Sequence, residues 1–326
     1  MPIGSGLLGY AAISYGSSMM ASQLLRLLKM VEATPPLVTA VVHPVDALSL
    51  TGAVEGARRG LIEPLLIGPR ARILDAARSA ALDIGAYRLI DVEHSHAGAA
   101  RACEMAACGD VAAIMKGALH TDELLEAAVS GASGLRTDRR MSHVFVLDVP
   151  GYPRPLLVSD AALNIAPDLM TKRDIVQNAI DCALAMDIKE PKVAILSAVE
   201  TVNPKMVSTL DAAALCKMAD RGQIVGGLLD GPLAFDNAIS LEAAQTKGII
   251  SKVAGQADIL IVPDIESGNM LAKQLFYLSQ AQSAGIVMGA KVPIILTSRS
   301  DPEASRLASC ALAILVTQFK LSKVSK

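Results

Sequence analysis

The sequence predicts an α/β fold of two lobes, each a largely parallel sheet with flanking helices. From Leu37 onward, short aliphatic runs alternate with Ala/Leu-rich stretches of helical length, separated by loops marked with Gly, Pro and Asp. That alternation is the pattern of successive βαβ units. Aromatic residues make up only 3% of the chain and Trp is absent, so the core must be aliphatic packing of helices on buried strands rather than a β-sandwich. At 326 residues the chain is about twice the length of a ~150-residue domain, which predicts two lobes.

The elements follow in order. A strand at Leu37–Val42 leads through Pro44 and Asp46 into a helix at Ala47–Arg59, and Pro64–Ile67 into a helix at Arg70–Ala81. Arg88–Ile90 precedes a helix at Ala97–Ala107, and Val111–Met115 precedes one at Asp122–Ser130. Strands at Val144–Leu147 and Leu156–Val158 are joined by Asp148–Pro153, whose Pro-Gly centre predicts a hairpin rather than a crossover. After a helix at Lys172–Ala185 come Lys192–Leu196, a helix at Met206–Ala219, Gly226–Leu229, a helix at Ala238–Lys247 and Ile259–Val262. A helix at Met270–Gln280, strands at Gly285–Val287 and Val292–Leu296, and a last helix at Pro302–Thr317 complete the chain. Many helices start just after Asp, Ser, Thr or Asn, as capping requires. Eleven strands would crowd one sheet, which again favours two. The expected division is an extension of uncertain order at 1–22, a first lobe of 23–141 plus 297–326, and a second of 142–296.

Thirty basic and thirty-two acidic side chains leave a formal charge of −2, which provides no general field for nucleic acid or an anionic membrane. Neither is an expected partner. With 52% hydrophobic residues the chain has material for a large core. Its apolar residues nowhere form an uninterrupted run of the ~18 that would cross a bilayer. The five cysteines are odd in number and widely spaced, which fits a reducing, cytoplasmic setting. No Lys or Arg occurs before Arg26, so the apolar start lacks the basic flank of a secretory signal.

Gly4-Ser5-Gly6-Leu7-Leu8-Gly9 fits GxGxxG, but no strand precedes it and the motif has no βαβ frame. P-loop, HExxH, GxSxG and CxxC signatures are absent. The five histidines lack metal-ligand spacing with Cys or acids, so no metal site is expected. Candidate sites therefore lie at strand exits, where loops carry polar groups and helix starts present unpaired N–H groups.

Four exits are equipped in this way. Met115–Thr121 offers Lys116 at a strand end, Gly117 for close backbone approach, and Thr121 as a helix cap. Leu229–Asn237 places Asp230 and Asp236 around Gly231-Pro232, a pattern that suits a site or an ordinary turn. Asp264, Ser267, Gly268 and Asn269 offer a hydroxyl, an amide and helix N–H groups, or simply a capped loop. Leu296–Pro302 ends an aliphatic strand in Thr297-Ser298-Arg299, where a planar guanidinium beside hydroxyls can grip a phosphoryl group. Arg136, Arg139 and Arg140 form a basic cluster that reads as a solvated face or a phosphate contact.

Taken together these strings resemble the phosphate acetyltransferase/phosphate butyryltransferase family. The carriers are MKGALHT at Met115–Thr121, GLRT…MSHVFV within Gly134–Val146, SDAALNIAPDL at Ser159–Leu169 and VETVNPKM at Val199–Met206. They continue with KMADRGQIVGGLLDGPLAFDNAIS at Lys217–Ser240, PDIESGNM at Pro263–Met270 and PIILTSR at Pro293–Arg299. In detail the chain looks most like the phosphate acetyltransferase part of bacterial proteins fused to an enoyl-CoA hydratase. The resemblance implies the reaction acyl-CoA + phosphate ⇌ acyl phosphate + CoA, most simply with acetyl and alternatively with a butyryl chain. A metal-dependent NAD(P) dehydrogenase on the same architecture is the rival activity.

The resemblance also implies an isocitrate/isopropylmalate dehydrogenase-like fold with a cleft between lobes, a homodimer, coenzyme A as substrate, and no tightly bound cofactor. Catalysis maps onto Ser298 and Arg299. Ser142, Ser159, Asp160, Asn164 and Pro232 lie in the matching segments and join the binding candidates Lys116, Gly117, Thr121, Arg136, Asp230, Asp264, Ser267, Gly268 and Asn269. In the acetyl branch the base lies two helical turns beyond the Ser-Arg pair, where this sequence has Ser305; Asp301 is the nearby acid assigned that role.

Overall fold

The computed structural model describes residues 23–296 and 301–324. The expected extension at 1–22, with its glycine motif, and the pair Ser298 and Arg299 lie outside the described residues. In chain order the elements are α1 (Gln23–Met30), β1 (Leu37–Val42), α2 (Ala47–Arg58), β2 (Ile62–Gly68), α3 (Arg70–Ser79), β3 (Arg88–Asp91), α4 (Ser95–Cys108), β4 (Ala113–Lys116) and α5 (Thr121–Val129). They continue with β5 (Ser142–Asp148), β6 (Leu156–Ser159), α6 (Leu169–Ala185), β7 (Lys192–Leu196), α7 (Val207–Asp220), β8 (Leu228–Leu233), α8 (Phe235–Ile239) and α9 (Leu241–Thr246). β9 (Ile259–Ile261), α10 (Ile265–Leu278), β10 (Gln282–Met288), β11 (Ile294–Ile295) and α11 (Glu303–Val324) close the chain.

Each expected strand is present among the described residues, but all eleven form one sheet in the order β3-β2-β1-β4-β11-β10-β5-β6-β9-β7-β8. The crowding argument fails because the sheet is staggered. β3, β2, β1, β4 and β11 form one parallel set, and β6, β9, β7 and β8 form another. The seven-residue strands β10 and β5 pair antiparallel between them, Gln282 opposite Asp148 through Met288 opposite Ser142. β11 pairs with one end of this ladder, at Ile286 and Val287, while β6 pairs with the other, at Phe145 to Leu147. Each set thus extends from a different end of the ladder. The hairpin expected at Asp148–Pro153 does join antiparallel strands.

Several boundaries move for local reasons. α1 has no counterpart in the sequence reading; it buries Leu24 and Leu27 against the core. The single helix expected over Ala238–Lys247 is two, because Ser240 ends α8 in extended geometry and its Oγ then caps α9 by accepting from Ala243 N at 3.2 Å. α10 begins five residues early, capped by Asp264, which accepts from Ser267 N at 2.8 Å. Asp230-Gly231-Pro232 lies inside β8 and is not a turn. His120, not Thr121, holds the cap position of α5, and Thr121 is its first helical residue.

The largest apolar cluster spans both parallel sets: Val41 and Leu50 from the first, Val193 and Ile259 from the second, and Val144, Ala311 and Leu312 between them. α11 is long and apolar enough to cross a membrane, but 67% of its most apolar window is buried and it packs on α1, α2, α6 and β10. It is a core helix.

Candidate active site

The stagger brings carboxyl ends of opposed strands together. Met115 of β4 pairs with Ile295, Ile295 with Ile286, and Ile286 with Val144, while Val158 of β6 pairs with Phe145 one residue further along. Lys116 and Ser159, the last residues of β4 and β6, therefore end within one residue of the same level of the sheet, from opposite directions. In α/β sheets this is where ligand crevices form. A cavity of about 400 Å³ opens there. Lys116, Leu119, His120 and Thr121 line it from the β4–α5 connection, His143 and Phe145 from β5, and Ala162 from the loop after β6. Asn269, Ala272, Lys273, Phe276 and Tyr277 of α10 form the facing wall. Leu296 and Asp301, the described residues on either side of 297–300, both line it.

Two close approaches build the floor. A Cβ on Gly117 would lie 2.3 Å from the Val42 carbonyl oxygen, so only glycine lets the chain leave β4 beside β1. What approaches Gly117 is therefore the Val42–His43 backbone: Gly117 N donates to Val42 O and Ala118 N to His43 O, each at 2.9 Å. On the other side, a Cβ on Gly268 would lie 2.7 Å from Asp160 O, so α10 packs directly on the turn after β6.

That turn is organised by Asp160, whose carboxylate accepts from His143 N, Ala162 N, Leu163 N and Asn164 N at 3.0–3.3 Å and from Asn164 Nδ2 at 2.5 Å. Burial pushes the Asp160 carboxyl up and these donors oppose the shift. Ser159 Oγ donates to His143 O at 2.8 Å.

His143 is almost wholly buried, and burial pushes its imidazole down to about 3, so it lines the cavity as a neutral ring. It stands edge-on to Phe145 at 4.3 Å, and Phe145 stands edge-on to Phe276 at 5.3 Å. Its Nδ1 has no hydrogen-bond partner among the described residues. Lys116 is buried, and its Nζ donates to Gly117 O at 3.4 Å. Asp301 offers its carbonyl to Arg306 Nη1 at 2.6 Å, and Arg306 Nη2 reaches Glu55 Oε2 of α2 at 3.1 Å, which ties the start of α11 down.

Of the residues singled out in the sequence, the cavity gathers Lys116, Thr121, Asn269 and Asp301, with Gly117, Ser159, Asp160 and Gly268 supporting it. Others lie elsewhere. Arg136 and Asn164 line a separate cavity of about 610 Å³ with Arg139, Arg140 and Asp174. Ser142 is fully buried and accepts from Asn178 Nδ2 at 2.9 Å. Asp230 accepts from Gly231 N at 2.8 Å within β8, beside the buried Pro232. Asp264 and Ser267 bond to each other at 2.8 Å as a cap, and Ser267 faces another cavity. Ser305, reached by counting from the Ser-Arg pair, is buried and absent from the cavity wall. Sequence reasoning did not single out Lys273, Phe276 or Tyr277, although a helical spacing of three to four carries all of them on one α10 face with Asn269. Among the described residues no cluster of three His, Cys, Asp or Glu is placed to hold a metal.

Residues 97–314 match the family described as phosphate acetyl/butaryl transferase. The chain is 58% identical to a phosphate acetyltransferase of Rhizobium meliloti, covering 89% of this chain and 92% of that protein. It is 40% identical to a phosphate butyryltransferase of Clostridium acetobutylicum, covering 86% and 93%. A branched-chain phosphotransacylase from Enterococcus faecalis V583 superposes with a TM-score of 0.74 at 29% identity, over 86% of this chain and 99% of that one. A 4-hydroxythreonine-4-phosphate dehydrogenase from Klebsiella pneumoniae, with a TM-score of 0.52 at 13% identity over 87% of this chain and 99% of its own, shares the fold alone. With a family match over more than half its length and relatives this similar along nearly all of it, the chain belongs to the phosphate acetyltransferase/phosphate butyryltransferase family.

Proposed function

We propose that the chain interconverts acetyl-CoA and phosphate with acetyl phosphate and CoA in the cavity at the ends of β4 and β6. One observation carries this reading: Leu296 and Asp301, which bracket Ser298 and Arg299, line the same cavity as Lys116 and the first turn of α5. In the direction of thioester synthesis, the CoA thiol, with a pKa near ~8.5 if it behaves like cysteine, must become a thiolate. Asp301 takes that proton. The thiolate attacks the acetyl carbonyl carbon, and the bond to the phosphate oxygen breaks. Arg299 and Lys116 hold the departing phosphate, the N–H groups at the start of α5 and the Thr121 hydroxyl share its charge, and Ser298 donates to the developing oxyanion.

Burial of Ser305 supports Asp301 as the base. Neutral His143, with Phe145 and Phe276, gives the acyl group an uncharged wall. CoA is a substrate here, and the chemistry needs no resident cofactor. The same reading includes a homodimer in the cytoplasm, kinship with the hydratase-fused acetyltransferases, and two lobes, 23–141 with 297–326 and 142–296.

Thiol release from acetyl-, propionyl- and butyryl-CoA, with and without phosphate, tests it. Release should depend on phosphate and be fastest with acetyl-CoA. Arg299→Ala should lower kcat by about a hundredfold or more with an unchanged circular dichroism spectrum. A variant that turns over at the parent rate removes Arg299 from the mechanism.

A further inference from the structure

A second cavity, of about 620 Å³, lies at the other end of β4 and β11, where Val111, Ala112, Val292 and Pro293 lead into those strands. These residues and Met288 make its walls apolar, while its rim is charged. Lys320, Lys323 and Arg139 line it together with Lys291, Asp138 and Asp181. Asp181 is already engaged: it accepts from Arg139 Nη1 at 2.7 Å, Lys323 Nζ at 2.8 Å and Gln177 Nε2 at 3.3 Å. Lys320 Nζ instead donates to a neutral acceptor, Ala290 O, at 2.7 Å.

We infer that Lys320 is a site of covalent acylation by the acyl phosphate this enzyme handles, with the surrounding cavity docking that anhydride. The inference rests on the proposed function for the identity of the acyl donor. The cavity has both features such a donor needs, an apolar wall for a short acyl chain and more cationic than anionic groups for its phosphate. Burial, assisted by Arg139 and opposed by Asp181, pushes the Lys320 amine down to about 8, so near that pH much of it carries a free lone pair. Lys217 and Lys247 are the contrast, held up by Asp220 and by Glu200 and Asp236.

The lone pair on Nζ attacks the acetyl carbonyl carbon and a C–N bond forms. The carbonyl C–O bond to the phosphate breaks, inorganic phosphate leaves with that electron pair, and one proton passes from nitrogen to water. The resulting amide keeps an N–H for Ala290 O and loses the charge that Arg139 repels.

The test incubates the full chain with acetyl phosphate at pH 8 and follows peptides by mass spectrometry. Lys320 should acquire acetyl at least about tenfold faster than Lys217 or Lys247, with the rate falling about tenfold per pH unit below 7. Equal or slower labelling of Lys320 overturns the inference. Acetyl-CoA in phosphate-free buffer should label it at least about tenfold more slowly at the same concentration; an equal rate overturns acyl phosphate docking. Lys320→Arg should keep thiol-release activity and lose the mark. Should that variant not fold, the three-lysine comparison in the parent chain still decides. A chain that takes the mark but releases no thiol overturns the proposed function and not this site.

Discussion

His143 shows how much of a residue's chemistry comes from its neighbours. Its ring is enclosed by Phe145 on its own strand and by Gly285 on β10, where a Cβ would come within 3.0 Å of Nε2. An unfolded imidazole binds a proton near 6.5, but this one binds it only near 3. Between those values the unfolded chain holds the extra proton, so stability rises with pH across the window and is lost as pH falls from 6.5 to 3. The effect is on the order of 5 kcal/mol. His143→Asn should flatten the acid limb of a urea midpoint-versus-pH curve between pH 6.5 and 3; an unchanged slope would show that His143 is not the titrating group. Only part of this was legible from the histidine in SHVFV: Phe145 stands in the same string, but the backbone of Gly285 that closes on the ring comes from β10, far along the chain. Gly117 was half legible. The need for close approach shows in Lys-Gly at a strand end, but the approaching partner is Val42, far back in the sequence.

At the level of elements, aliphatic runs bounded by Gly, Pro and Asp located every described strand, since period and punctuation are local properties. Helix starts were less legible where a cap lies inside a polar string. Pro263–Asn269 reads equally as a ligand loop or a helix cap, and the structure places Asp264 and Ser267 in the cap. If capping is their work, Asp264→Ala should cost about 1 kcal/mol in urea unfolding and leave the KM for acetyl-CoA within about twofold. A tenfold rise in KM with unchanged stability would return Asp264 to the binding site. Asn269 and Lys273 lie further along α10, where its face does reach the cavity.

Across the whole molecule, the strands were found but their order in one sheet was not, because the β5–β10 ladder pairs residues more than 130 positions apart. Local pattern carries no information about such pairing. Since one apolar cluster runs through both parallel sets and α11, unfolding should be a single event. Far-UV circular dichroism and tyrosine fluorescence, the usable emission in a chain without Trp, should give coincident urea transitions. Two resolved steps would mean that the sets fold as separate units. The ladder also limits how the cavity mouth can change width. Sliding β10 along β5 by one residue would turn every side chain of one strand to the wrong face, so translation is forbidden by the pleat itself. Twisting keeps the register, so any change in width would have to come by rotation about the ladder, as scissors open, and not as a drawer slides along its runners.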